Sequence, residues 1–203
     1  MTLKRILIWD WPVRIGHWLL AGSFLICWLT AESERLRLIH AAAGATMLGL
    51  LLFRCIWGVV GSPPARFINF VRSPRAALGY LRSLISRHPQ HHAGHNPAGG
   101  LAIVLIIALG WLTVGSGWIN YNELAGNWLE EAHETFAASL LGLVLVHLGG
   151  VLVSSWRHHE NLPRSMLDGR KLGRNEEAIA TPFAWVVLVQ LSVVASSVWL
   201  VLH

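Results

Sequence analysis

The sequence predicts an all-α integral membrane protein, on three observations. Of its 203 residues, 54% are hydrophobic and only 13% charged, with a positive mean hydropathy of +0.49. Soluble domains carry about a quarter charged residues. Five apolar segments, roughly 14–30, 38–60, 98–118, 133–155 and 182–202, approach the ~20 residues that one bilayer crossing needs. The basic residues crowd onto alternate connections.

The amino-terminal stretch carries Lys4, Arg5 and Arg14 around Trp9-Asp10-Trp11-Pro12, a tryptophan-rich approach to the first span. No small-residue cleavage motif follows that span, so it reads as retained and not as a signal peptide. Cys27 and Cys55 lie inside apolar runs and read as small buried hydrophobes. No C-x-x-C-H occurs, which excludes covalent c-type haem attachment at the motif level. Loop 61–97 holds Arg66, Arg72, Arg75, Arg82 and Arg87 without one acid. Within it, Pro74 to Arg87 sets Ala77, Leu78, Leu81, Leu84 and Ile85 on one face, the pattern of an amphipathic helix lying on a membrane surface. The tract 90–95 is polar loop. His91, His92 and His95 are a lesser candidate metal group, and Asn96 and Pro97 are placed to cap and open the third span.

Loop 156–181 holds Arg157, Arg164, Arg170, Lys171 and Arg174. The opposite side holds only Arg35 and Arg37, and its longer loop 119–132 has Glu123, Glu130 and Glu131. Positive charge marks the cytoplasmic side. The expectation is a multi-pass inner-membrane protein with a cytoplasmic amino terminus and, after five crossings, a periplasmic carboxyl terminus. Trp9, Trp11, Trp57, Trp156 and Trp185 are expected at inner interfaces, and Trp28, Trp118 and Trp199 at outer ones. The net charge of +5 thus reports topology in lipid, with no nucleic-acid partner implied.

The chemistry lies in four histidines. His133 and His147 are fourteen residues apart in one span, nearly the same helix face and about 21 Å along the axis. By depth, His17 matches His147 near the inner surface, and His40 matches His133 near the outer. Two imidazoles from different helices at one level are the ligand set of a b-type haem. The reading is therefore a four-helix dihaem transmembrane bundle plus a fifth transmembrane helix. The bundle occupies residues 1–174 and the extra helix lies in 175–203. Gly16, Gly44 and Gly142 are expected to give a porphyrin room. Arg54, fourteen residues after His40, either pairs with a haem propionate or snorkels to the inner interface.

Several ordered motifs support a family resemblance: residues 9–18 (WDWPVRIGHW), 53–58 (FRCIWG), 95–99 (HNPAG), 131–134 (EAHE) and 161–171 (NLPRSMLDGRK). Together they resemble bacterial dihaem cytochromes b of the Ni,Fe-hydrogenase cytochrome b subunit group within the cytochrome b561 superfamily. The resemblance implies four iron ligands, matching His17, His40, His133 and His147, and two haem b cofactors. It also implies electron exchange between a membrane quinone and a periplasmic redox protein, either a hydrogenase-like complex or a c-type cytochrome. A quinone-contacting asparagine in the formate dehydrogenase relative is matched most nearly by Asn96. That relationship leaves open whether the chain is an enzyme, and the fifth span departs from the four-span pattern.

Two rival readings remain. A superoxide–quinone oxidoreductase on the same scaffold would need a positive outer funnel to steer an anion. A haem-free divalent-metal transporter would need carboxylates or cysteines converging with histidine at mid-membrane. The outer charge balance opposes the first, and the acids flank the spans rather than enter them, which opposes the second.

Overall fold

The computed structural model describes residues 4–86, 89–124 and 126–203; Arg87 and His88, one a counted loop base and the other a loop histidine, lie outside them. The chain forms strand β1 (Lys4–Leu7), helices α1 (Trp11–Thr30), α2 (Arg37–Val60), α3 (Phe67–Phe70), α4 (Pro74–Leu84), α5 (Pro97–Tyr121), α6 (Trp128–His158) and α7 (Leu162–Asp168), strand β2 (Arg170–Gly173) and helix α8 (Val186–Leu202).

Among the described residues, four helical stretches are long and apolar enough to cross a membrane: Trp11–Thr30, Glu34–Val60, Pro97–Tyr121 and Trp128–His158. They coincide with the first four expected spans and overrun them at several ends. Polar caps account for the early starts of α1 and α5. Asp10 accepts from Val13 N at the start of α1, and Asn96 accepts from Gly99 N at 2.7 Å at the start of α5, so both helices open on a proline after a side-chain cap.

The fifth segment is shorter than the sequence suggests. α8 has 17 residues, about 25 Å of helix, because Phe183 takes a positive φ of 53° and Pro182 O accepts from Trp11 N. Residues 182–185 therefore tie the helix to the start of α1 instead of extending it.

Helix α2 is the hub: α1, α5 and α8 pack on it, and α6 packs on α5. Lipid tails are as apolar as leucine, so close backbone approach must hold such helices together. A Cβ on Gly49 of α2 would stand 2.8 Å from Val194 Cα of α8, and Leu51 of α2 fits against Gly110 of α5. Met47, Leu51, Val114 and Leu140 form the central core, flanked by Leu20 and Phe24 of α1. α6 buries only Leu129, Leu140 and Ser154 fully, so most of its surface faces lipid or the cavity described below.

The fold is not purely helical. β1 and β2 pair antiparallel, with Lys4 opposite Gly173 and Leu7 opposite Arg170. Past β1, Ile8 N and Trp9 N both donate to Gly169 O, and Gly169 itself caps α7 at φ +77°. Only a residue without a Cβ fits there, since a Cβ would lie 2.8 Å from Trp9 O. The polar backbone at both chain segments needs partners, and pairing the two supplies them.

Two tryptophans expected in the interfacial belt are instead buried. Trp9 is 4% exposed and donates to Ser165 Oγ; Trp57 is 8% exposed and donates to Asp10 Oδ2. Asp10, wholly buried, also accepts from the Ser62 hydroxyl. This carboxylate thus ties the start of α1 to the end of α2. Trp11, Trp156, Trp185, Trp28, Trp118 and Trp199 are exposed, as the belt reading requires. The amphipathic helix is present as α4, though it buries Ala77 and Tyr80 and leaves Leu78, Leu81 and Ile85 exposed.

Candidate functional site

His40 in the first turn of α2 and His133 near the start of α6 face one another across a cavity of about 710 Å³. That volume lies within the range of small-molecule and cofactor sites. Their ring centres are 6.4 Å apart with ring planes at 71°. Two metal–nitrogen bonds of about 2 Å, with about 1.1 Å from each nitrogen to its ring centre, together span about 6.2 Å. The pair therefore fits one metal atom between two imidazoles.

Each ring is oriented from behind. His40 Nδ1 lies 3.1 Å from Cys27 O, with Thr30 Oγ1 at 3.3 Å. His133 Nδ1 lies 2.9 Å from Thr113 O, with Ser116 Oγ at 3.2 Å. A nitrogen aimed at a carbonyl oxygen carries the hydrogen, which leaves Nε2 with its lone pair for a metal. These partners come from α1 and α5, where Thr30 and Ser116 turn their own hydroxyl hydrogens to the helix backbone at Ile26 O and Leu112 O. No local signal marked those carbonyls in the sequence, because their role depends on neighbouring helices.

The walls of the cavity are small or apolar, among them Phe24, Gly44, Met47, Val114 and Ala137. Glu32, Glu34, Glu123, Glu130 and Glu134 line it against a single base, Arg37.

His17 and His147, the second expected pair, are both partly buried and lie within electrostatic reach of one another. His17 Nδ1 is a buried nitrogen with no hydrogen-bond partner among the described residues. The donor set is that of the first pair, but the rear support is absent. Gly44, which lines the cavity, and the exposed Gly142 have open space where a Cβ would stand. Gly16 does not: it admits Gln190 of α8, whose Nε2 donates to Pro12 O, so it serves helix packing.

Arg54 reaches toward the loop that follows α2. Its Nη1 donates to Ala65 O at 3.1 Å, and its guanidinium stands 4.8 Å from the centre of the Phe67 ring. Arg54 makes no ion pair among the described residues, so it remains a cation held at the arginine-rich end of the bundle. Asn96 caps α5 and borders a small polar cluster.

Two residues gained importance only through packing. His95 is set between Trp9 and Phe70, with ring centres at 4.5 and 4.4 Å, and within electrostatic reach of Arg54 and His147. Burial, with Arg54 and Lys171 adding to it, pushes its imidazole down to about 3, so it is neutral. Lys171, counted in sequence as a loop base, is 6% exposed and donates to His92 O and Gly94 O. Among the described residues no group of three or more His, Cys, Asp or Glu side chains converges as a metal site, so His91, His92 and His95 do not come together as one.

The fold and site define a class: a transmembrane helical bundle in which histidines of different helices are paired beside a cavity of cofactor size. The chain belongs to the prokaryotic cytochrome b561 family, whose model matches residues 8–169. It is therefore a transmembrane b-type cytochrome, a haem-binding electron-transfer protein. It is similar to a probable Ni/Fe-hydrogenase B-type cytochrome subunit of Rhizobium leguminosarum bv. viciae, 25% identical over 86% of this chain and 92% of that one. Proteins of the same description from Bradyrhizobium diazoefficiens and Azotobacter vinelandii are 20% and 25% identical, covering 84% and 75% of this chain and 87% and 72% of theirs. No solved structure matches this chain.

Proposed function

We propose that this cytochrome carries electrons across the bacterial inner membrane through two b haems, between a quinone at its arginine-rich end and a redox protein at its acidic end. His40 and His133 hold the outer haem, and His17 and His147 the inner one. The observation that carries the reading is the His40–His133 pair, 6.4 Å between ring centres with both Nδ1 atoms held by main-chain carbonyls. Haem b, when bound, supplies a one-electron iron couple whose potential follows its axial ligands and their hydrogen bonds. The carbonyls of Cys27 and Thr113 fix the tautomer and raise the basicity of the outer ligands. Arg54 would supply a cation to offset the negative charge of the inner cofactor, and Asn96 would border the quinone end.

The positive-inside pattern puts the arginine-rich end and the amino terminus in the cytoplasm and the carboxyl terminus, after α8, in the periplasm. The names of the three relatives make a hydrogenase-type complex the favoured partner, ahead of a c-type cytochrome. Five glutamates line the outer cavity against Arg37, which favours a partner with a basic docking face and disfavours steering of superoxide.

A pyridine haemochrome assay on the purified full chain tests the reading: two haems per polypeptide are expected. A correctly inserted, colourless protein made with ample iron and porphyrin overturns it.

A further inference from the structure

Below His147, at the arginine-rich end, lies a connected polar cluster that the cofactor ligands do not use. Ser154 follows His147 by seven residues on α6, two turns along the same face and about 10 Å further toward that end. It is 4% exposed. The Tyr80 hydroxyl of α4, 2% exposed, stands 3.3 Å from Ser154 Oγ and 3.2 Å from His158 Nε2. The His158 ring centre is 5.8 Å from that of His91, and His91 Nε2 is 3.9 Å from Glu160 Oε2. Lys171 Nζ lies 4.0 Å from the same carboxylate. His91 is open to solvent, so the series runs from the surface into the bundle.

We propose that Ser154, Tyr80, His158 and His91 form a proton path joining the cytoplasmic surface to the quinone site, with Glu160 and Lys171 setting its charge. The proposal rests on the quinone reading of this end of the molecule.

Each member except Lys171 can both give and accept a hydrogen bond in some protonation state, which proton hopping requires. The step between His158 and His91 is too long for a direct bond. A cavity of about 10 Å³ bordered by Tyr80, His91, His92, Asn96, Ser154 and His158 fills that gap. This is about the space one water needs, with polar partners around it. His92 Nε2, buried and without a partner among the described residues, faces the same cluster. Burial holds the Tyr80 hydroxyl above its ordinary range, so it relays as a neutral group. Burial, with His91, Lys171 and Arg72 adding to it, holds His92 below its own. The charged and titratable groups facing the path are thus Arg72 before α4, Tyr80 on α4, His91 and His92 in the loop, His158 and Glu160 at the end of α6, and Lys171 on β2.

The balance is simple. Quinone reduction takes two electrons, from two one-electron oxidations of b-haem iron, and two protons that become the quinol hydroxyl hydrogens. Ser154 gives a proton inward and regains one from Tyr80, which regains one from His158, which regains one through water from His91 and solvent. Quinol oxidation runs the same path outward.

The test compares wild type, Tyr80→Phe and His158→Gln as full-length, haem-loaded protein, following oxidation of the reduced haem by menadione and by ferricyanide in H2O and D2O. Ferricyanide takes electrons without protons. Both variants should slow menadione oxidation by about tenfold or more and alter its pH profile and solvent isotope effect. Haem spectrum, haem content and ferricyanide rate should stay at wild-type values. Unchanged menadione rates in both variants overturn the path. Equal slowing with both oxidants also overturns it, showing a structural role. If wild type is oxidised by ferricyanide but not by menadione, the quinone reading itself fails, and the path with it.

Discussion

The imidazoles of His40 and His133 stand 6.4 Å apart between ring centres, each held from behind by a main-chain carbonyl of a third or fourth helix. Four helices thus converge on one histidine pair: α2 and α6 supply the rings, and α1 and α5 orient them. His17 has no such support, since its Nδ1 is buried without a partner among the described residues. The two histidine pairs thus differ in how firmly their rings are held.

Single ligand removals should separate those levels. His40→Ala and His133→Ala should each lose the same one of two haems, and His17→Ala and His147→Ala the other, as counted by haemochrome and by low-temperature spectra. If His17→Ala depleted the haem that His133→Ala depletes, the pairing by depth would be wrong.

The orientation of His133 should be sensitive to one methyl group. A Cβ at Gly117 would stand 2.8 Å from His133 Cε1 and 3.1 Å from Nδ1, while a Cβ at Gly115 meets nothing within 4 Å. The ring cannot retreat without leaving Thr113 O. Gly117→Ala should therefore lower occupancy of the outer site, with about 10- to 100-fold weaker cofactor retention, and shift its redox midpoint. Gly115→Ala should do neither. Competition of each variant with apomyoglobin for haem measures the difference.

The first four spans, and the placing of His40 opposite His133, were legible because a bilayer imposes one rule on every residue that crosses it. Hydropathy finds the crossing, and counting along it gives depth. What escaped depends on meetings between distant segments. Residues 4–7 and 170–173 form a sheet, although neither reads as a strand without the other. Trp9 and Trp57 resemble belt tryptophans until Ser165 and Asp10 are seen to accept from their indoles. Lys171 looked like a topogenic loop charge until the carbonyls of His92 and Gly94 took up its ammonium group. Gly16 sits beside a ligand in sequence yet serves α8 in space. In each case the local pattern was the same for both outcomes.

His95 should make the arginine-rich end acid-sensitive. Burial pushes its imidazole from the ordinary 6.5 down to about 3. In the unfolded chain it binds a proton below 6.5, and in the fold it does not, so stability is complete above that pH and falls as pH drops toward 3. The thermal midpoint in detergent should drop between pH 7.5 and 5.5. His95→Phe, which keeps a ring between Trp9 and Phe70, should flatten the drop by roughly 5 °C. An identical pH profile in the variant would assign the acid sensitivity elsewhere.

Helix α8 should be separable from cofactor binding. It docks through backbone proximity at Gly49, where a Cβ would lie 2.8 Å from Val194 Cα and 2.9 Å from Ser197 Oγ. Gln190, 2% exposed, adds one hydrogen bond to Pro12 O. The four histidines are on α1, α2 and α6, and among the residues lining the outer cavity α8 contributes only Val201. Gly49→Val forces α8 outward, since backbone on the far side cannot give. Such overpacking costs about 1–3 kcal/mol, which should lower the thermal midpoint by roughly 5 °C in a chain of this size. Haem per polypeptide should stay at the wild-type value. Loss of a haem together with the displaced helix would mean that α8 belongs to the cofactor bundle, and that four helices are not enough to hold it.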